Sequence, residues 1–115
     1  MKPGIELDAL IEANVFGTPK EAIELGIRNR GLPPQIGPVR QIRYVLAEYS
    51  TDISAAWEVV EKLMERGEKL YIGCDPDNHA APVSVSWPVG ESVEAKTLPH
   101  AICLAAVEIT NSPRG

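Results

Sequence analysis

Four arginines, Arg28, Arg30, Arg40 and Arg43, are the only charged residues between Leu25 and Ala47. No acid falls among them, so this stretch carries +4, while residues 1–24 carry −3 and residues 48–115 carry −6. A guanidinium is a planar fork of donors suited to bidentate contacts with phosphate or carboxylate. The arginines flank Gly31-Leu32-Pro33-Pro34-Gln35-Ile36-Gly37-Pro38, whose prolines and glycines exclude a helix and stiffen the chain. Stiffness lowers the cost of ordering a loop around a ligand. Two readings follow. In one, Arg28, Arg30, Arg40 and Arg43 form an anion site for a phosphate-bearing small molecule, with Tyr44 or Tyr49 stacking on a base. In the other, the arginines pair with acids of the same chain or of a second copy. No glycine-rich phosphate loop and no GxGxxG accompanies them.

Cys74-Asp75-Pro76-Asp77-Asn78-His79 alternates oxygen and nitrogen donors in the manner of a metal loop. The calcium-loop template fails, because Ala80 stands at the glycine position and Ser86 at the bidentate-glutamate position. A zinc site would require His100 and Cys103 to join Cys74 and His79. A tight turn held by Asx hydrogen bonds accounts for the same residues, and neither a metal nor a cofactor is expected. Cys103 lies in an apolar run where a thiol is inert. Cys74 with His79 or His100 is a weak dyad, and Glu58, Glu61 and Glu65 read as a solvated helix face. No constellation supports an enzyme. Trp57 and Trp87 each fall on an apolar stripe and are expected in the core.

These side chains must be positioned by elements that the sequence also predicts. Leu7, Leu10, Ile11 and Val15 recur at helical spacing, with Gly17 as a stop. Thr18-Pro19-Lys20-Glu21 has the form of a capping box that starts a second helix, running to about Asn29 with Ile23 and Ile27 inward. Gly26 inside it costs about 1 kcal/mol relative to Ala. Residues 39–49 are compatible with a strand or a helix, and aromatic and β-branched content favours a strand. Ser50, Thr51 and Asp52 offer caps for a long helix with Ile53, Ala56, Trp57, Val60, Leu63 and Met64 on one face and Gly67 at its end. Strands are expected at Lys69–Gly73, Val83–Trp87 and Ser92–Lys96, the last two joined by a hairpin at Pro88-Val89-Gly90-Glu91. A final helix starts near Thr97. Its run Ala101–Val107 is apolar on every side, as in a central core helix or a subunit interface.

Composition agrees with one globular domain over residues 1–115. Apolar residues make up 44% and charged residues 23%, and the net charge is −5. An acidic chain lacks the basic footprint of a duplex-DNA binder. No apolar run is long enough to span a bilayer, and Met1-Lys2-Pro3-Gly4-Ile5-Glu6 lacks a signal peptide's apolar core. A cytoplasmic protein with two reduced cysteines is expected.

Tyr49-Ser50-Thr51-Asp52-Ile53, followed by Ala55-Ala56-Trp57-Glu58-Val59-Val60-Glu61-Lys62-Leu63, resembles the phage ABA-sandwich family. Ala95 to Ala106 looks like that family's closing strand and helix. Leu7-Asp8-Ala9-Leu10-Ile11-Glu12 and Val15-Phe16-Gly17 are similar to its first helix, but less specific. Thr18 to Arg43 departs from the pattern. The resemblance implies a mixed α/β (α+β) fold, a helix–sheet–helix layered domain with an antiparallel sheet of three to four strands and about four helices. It also implies a phage or prophage origin, and so the bacterial host cytosol. It carries over no catalytic residue. The expected function is non-enzymatic binding: sequestration of a nucleotide signal used in host defence, which is a counter-defence role, or else modulation of a host or phage protein. The small size and the apolar last helix together suggest a homo-oligomer.

Overall fold

The computed structural model describes residues 1–33, 44–88 and 91–111. Four helices and three strands follow in the order α1 (Ile5–Asn14), α2 (Lys20–Arg30), α3 (Ile53–Glu65), β1 (Tyr71–Cys74), β2 (Val83–Trp87), β3 (Glu91–Ala95) and α4 (Leu98–Asn111). The expected helix–sheet–helix α+β class holds, with three strands.

The strands form an antiparallel meander in the order β1-β2-β3. Ile72 stands opposite Val85 and Val85 opposite Val93, so the apolar positions of all three strands share one face. Val85 and Trp87 are buried on that face, against α4. α4 also packs on α1 and α3. Its all-round apolar character is therefore used within the chain: Ala101, Ile102, Cys103, Ala105, Ala106 and Ile109 are all buried. Full burial of a side chain such as Ile102 contributes roughly 1.5–3 kcal/mol. Among the described residues no helix is long and apolar enough to cross a membrane.

Helix α1 buries Leu7, Ile11 and Val15, and Gly17 at φ +71° ends the turn beyond it in a left-handed conformation that glycine adopts without strain. Helix α3 begins as expected, with Asp52 accepting the Ser54 amide at 3.0 Å. The second helix differs. Pro19 is extended (φ −62°, ψ 150°) and occupies the cap position, so the helix starts at Lys20 and no side chain caps it. Thr18 lies one residue too early for a capping box, and its amide bonds to the Glu12 carbonyl at 3.1 Å.

Two further expectations are corrected. Residues 44–48 form no strand, and 39–43 lie outside the described residues. Trp57 is 47% exposed rather than in the core, as are Ile53 (47%) and Met64 (57%). The buried stripe of α3 is Ala56, Val59, Val60 and Leu63. Helix α4 is its chief helical neighbour, and one neighbour covers only one narrow stripe. Trp87 is buried as expected.

Candidate functional site

Three of the predicted site residues, Arg30, Tyr44 and Tyr49, converge on α1. Helix α2 runs alongside α1 and ends in Arg28, Asn29 and Arg30, and the segment 44–50 crosses both helices on its way to α3. Two acids on α1, Asp8 and Glu12, organise what meets there. They are four residues apart and therefore on one face, and both are buried.

Asp8 is 1% exposed. Its Oδ1 accepts the Ser50 amide at 2.8 Å and the Ser50 hydroxyl at 2.7 Å. Arg30 Nη2 lies 3.0 Å from Oδ2, as an ion pair without the alignment of a hydrogen bond. The same guanidinium donates to two carbonyls of the crossing segment. Nε and Nη2 reach Leu46 O at 3.1 and 2.8 Å, and Nη2 reaches Ala47 O at 2.8 Å. Asn29 Nδ2 donates to Tyr44 O at 2.7 Å, and the Leu46 amide donates to the Gly26 carbonyl at 3.2 Å. Backbone groups that a strand would have paired with another strand are thus paired with α2.

Glu12 receives both tyrosines. Tyr44 donates its hydroxyl to Oε1, and Tyr49 donates to Oε2 at 2.8 Å. The Tyr49 ring also stacks on Phe16, with centroids 5.3 Å apart. Burial, then the hydrogen bond to Glu12 and that residue's charge, push the Tyr44 hydroxyl up to about 12. The same causes push Tyr49 further up. Burial, with the Asp8 charge added, pushes the Cys103 thiol up to about 12. At neutral pH these groups hold their protons and are donors rather than nucleophiles.

The structure therefore brings Arg30, Tyr44 and Tyr49 together around acids that the sequence reading did not single out. Arg28, two residues before Arg30, is exposed, and its side chain makes no ion pair or hydrogen bond among the described residues. Arg40 and Arg43 lie outside the described residues. A signal for Asp8 and Glu12 was present. They fall beside Leu7, Ile11 and Val15, on the helix face that must be buried, in a chain whose longest acid-free stretch is rich in arginine.

The cysteines and histidines stay apart. Cys74 is exposed at the end of β1, Cys103 is buried in α4, and His100 Nε2 lies 2.7 Å from the Met1 carbonyl. Among the described residues no group of three or more His, Cys, Asp or Glu could hold a metal. The loop after β1 is a turn with Asx bonds: Asp75 Oδ1 accepts the Asp77 amide at 3.0 Å, and Asn78 Oδ1 accepts the Ala81 amide at 3.2 Å.

Residues 34–107 match the Phage ABA sandwich domain. The chain belongs to that family. The matched stretch of this ABA-sandwich protein holds α3, the sheet and most of α4, while α1, α2, Asp8, Glu12, Arg28 and Arg30 fall before it. The crystal structure of a phage protein from Bacillus cereus ATCC 14579 is similar to it at 28% identity, with a TM-score of 0.63. That likeness covers 93% of this chain and 90% of the other, so it extends beyond the family stretch into the N-terminal helices. No curated protein matches the chain. The ABA sandwich is thus a phage-type protein.

Proposed function

We propose that this ABA-sandwich protein acts by binding rather than catalysis, in the cytosol of a bacterial host, and that its target is a host or phage protein. The outer face of α3 carries this reading. Ile53, Trp57 and Met64 are spaced four and seven residues apart, which places them on one stripe, and each is about half exposed. Beside the stripe run Glu58, Glu61 and Glu65, all exposed. An exposed tryptophan within an apolar stripe is the type of side chain that anchors protein interfaces. An acidic flank selects a partner whose own apolar stripe is bordered by Lys or Arg.

A second reading, sequestration of a phosphate-bearing nucleotide as a counter-defence device, is favoured by the open guanidinium of Arg28 in an acid-free stretch. Arg30 and the two tyrosine hydroxyls are already engaged, so this reading passes to Arg28 with Arg40 and Arg43.

Native mass spectrometry of the protein purified from bacteria, alone and as the Trp57→Ser and Arg28→Ala variants, separates the two. A protein partner that is lost with Trp57→Ser at an unchanged melting temperature, and that dissociates with added salt, supports the first reading. A released nucleotide that is lost with Arg28→Ala overturns it in favour of the second.

A further inference from the structure

Among the described residues β1 is an edge strand, paired with β2 alone. The Asp75 amide donates to the Pro82 carbonyl at 2.7 Å, which fixes the direction of alternate backbone groups. Asp75, Gly73 and Tyr71 turn their N–H and C=O toward β2. Leu70, Ile72 and Cys74 therefore turn theirs to the free edge. Edge strands normally carry a proline, a bulge or a charge against unwanted pairing. Residues 71–74 read Tyr-Ile-Gly-Cys and carry none of these, and Tyr71 and Ile72 are 58% and 43% exposed.

We propose that this edge pairs with β1 of a second copy, giving a two-fold dimer with one continuous six-stranded antiparallel sheet. The sequence around β1 is self-complementary in one register. With Ile72 opposite Ile72 of the second copy, Leu70 faces the other copy's Cys74, and these are the residues whose backbone groups point outward. Each such pair exchanges both ladder hydrogen bonds. In the same register Tyr71 faces Gly73 of the other copy. A ring laid over a bare glycine is a favourable cross-strand pair. Gly73 is also kept small on its own side, since a Cβ there would come within 2.9 Å of Ser84 Oγ. Lys69 then faces Asp75 of the other copy, twice by symmetry, and both are exposed. The opposite edge offers no such match: β3 carries Glu91 and Glu94 and no basic residue. The dimer rests on the sheet edge alone and does not depend on what α3 or Arg28 binds.

Sedimentation equilibrium from micromolar to millimolar chain tests it, on the full chain, wild type and two variants. The wild type should rise with concentration from 12.5 kDa toward twice that mass. Ile72→Pro removes an N–H that points away from β2, so the ladder within the chain survives while association weakens by roughly tenfold or more. Lys69→Asp, at an exposed position, places like charges opposite each other and should weaken association without changing the melting temperature. Amide exchange gives a readout free of substitution: Ile72 and Cys74 amides should be protected in the dimer and fast when diluted. A chain that stays at 12.5 kDa up to millimolar concentration, or a dimer that withstands both variants, would overturn the proposal.

Discussion

At the scale of single residues, the interior polar cluster shows how a charged side chain can be spent. Arg30 satisfies one buried carboxylate and two carbonyls, so it works as a bracket between α2, α1 and the segment leading to α3. Removing one partner of such a pair leaves an uncompensated buried charge, a far larger penalty than losing a surface contact. The tyrosines and Cys103 make a related case that pH can test. Each holds its proton in the folded protein at a pH where the unfolded chain has begun to lose it. Cys103 rises from an ordinary 9.0 to about 12, Tyr44 from 10.0 to about 12, and Tyr49 further still. The unfolded state binds fewer protons above these ordinary values, so stability falls with rising pH. Urea unfolding should show full stability below pH 9 and a progressive loss from pH 9 through 12. Tyr49→Phe should lower stability at pH 7 by about 1–3 kcal/mol, because Glu12 Oε2 loses its donor. It should also flatten the alkaline decline. An unchanged slope would mean that Tyr49 is not a source of it.

At the scale of elements, patterns that a segment carries within itself were legible, and patterns that depend on a distant neighbour were not. Alternating valines and Trp87 defined β2 to the residue, and the Asp52 cap and apolar spacing defined α3. The apolar girth of α4 announced a helix packed on several sides, which is how it sits between the sheet, α1 and α3. The segment 44–48 alternates like a strand, but its carbonyls are claimed by Asn29 and Arg30 of α2, and no local pattern records that. Trp57 is on an apolar stripe, yet a stripe does not say whether a neighbour covers it. Arginine clustering draws the eye to residues 25–47, while the groups that take up Arg30 and the tyrosines, Asp8 and Glu12, are marked only by their place on the buried face of α1. Gly26 illustrates both sides. Read alone it is a weak point, costing about 1 kcal/mol in a helix. In the fold it lies under Tyr44: a Cβ there would be 2.6 Å from the Tyr44 ring and 2.9 Å from the Leu46 amide nitrogen. Gly26→Ala should therefore lower stability by about 1–3 kcal/mol through overpacking, despite the gain in helix propensity. A thermal melt checks the sign, and a rise in melting temperature would show that the crossing segment yields to the added methyl.

At the scale of the whole molecule, the family stretch and the folding unit do not coincide. The match to the Phage ABA sandwich domain begins at residue 34, after α1 and α2. Yet Leu7 and Ile11 of α1 and Val15 at its C-cap belong to the same buried cluster as Val59, Leu63, Val85 and Ile102. Tyr49 and Ser50, inside the matched stretch, spend their polar groups on Glu12 and Asp8 outside it. Without residues 1–33, α4 would lose the cover of α1 along one side. Tyr49 and Ser50 would lose their acceptors as well. Three apolar side chains contribute roughly 1.5–3 kcal/mol each when buried. Their loss alone approaches the 5–15 kcal/mol that separates folded from unfolded domains. A fragment spanning 34–115 should therefore show no cooperative melting transition and a collapsed near-ultraviolet dichroism signal from Trp87. Adding a peptide of residues 1–33 should restore both in part, since it returns Leu7, Ile11 and Val15 to the core and the acceptors Asp8 and Glu12 to Ser50 and Tyr49. A fragment that melts cooperatively by itself would show that α1 and α2 are an appendage on an independent sandwich.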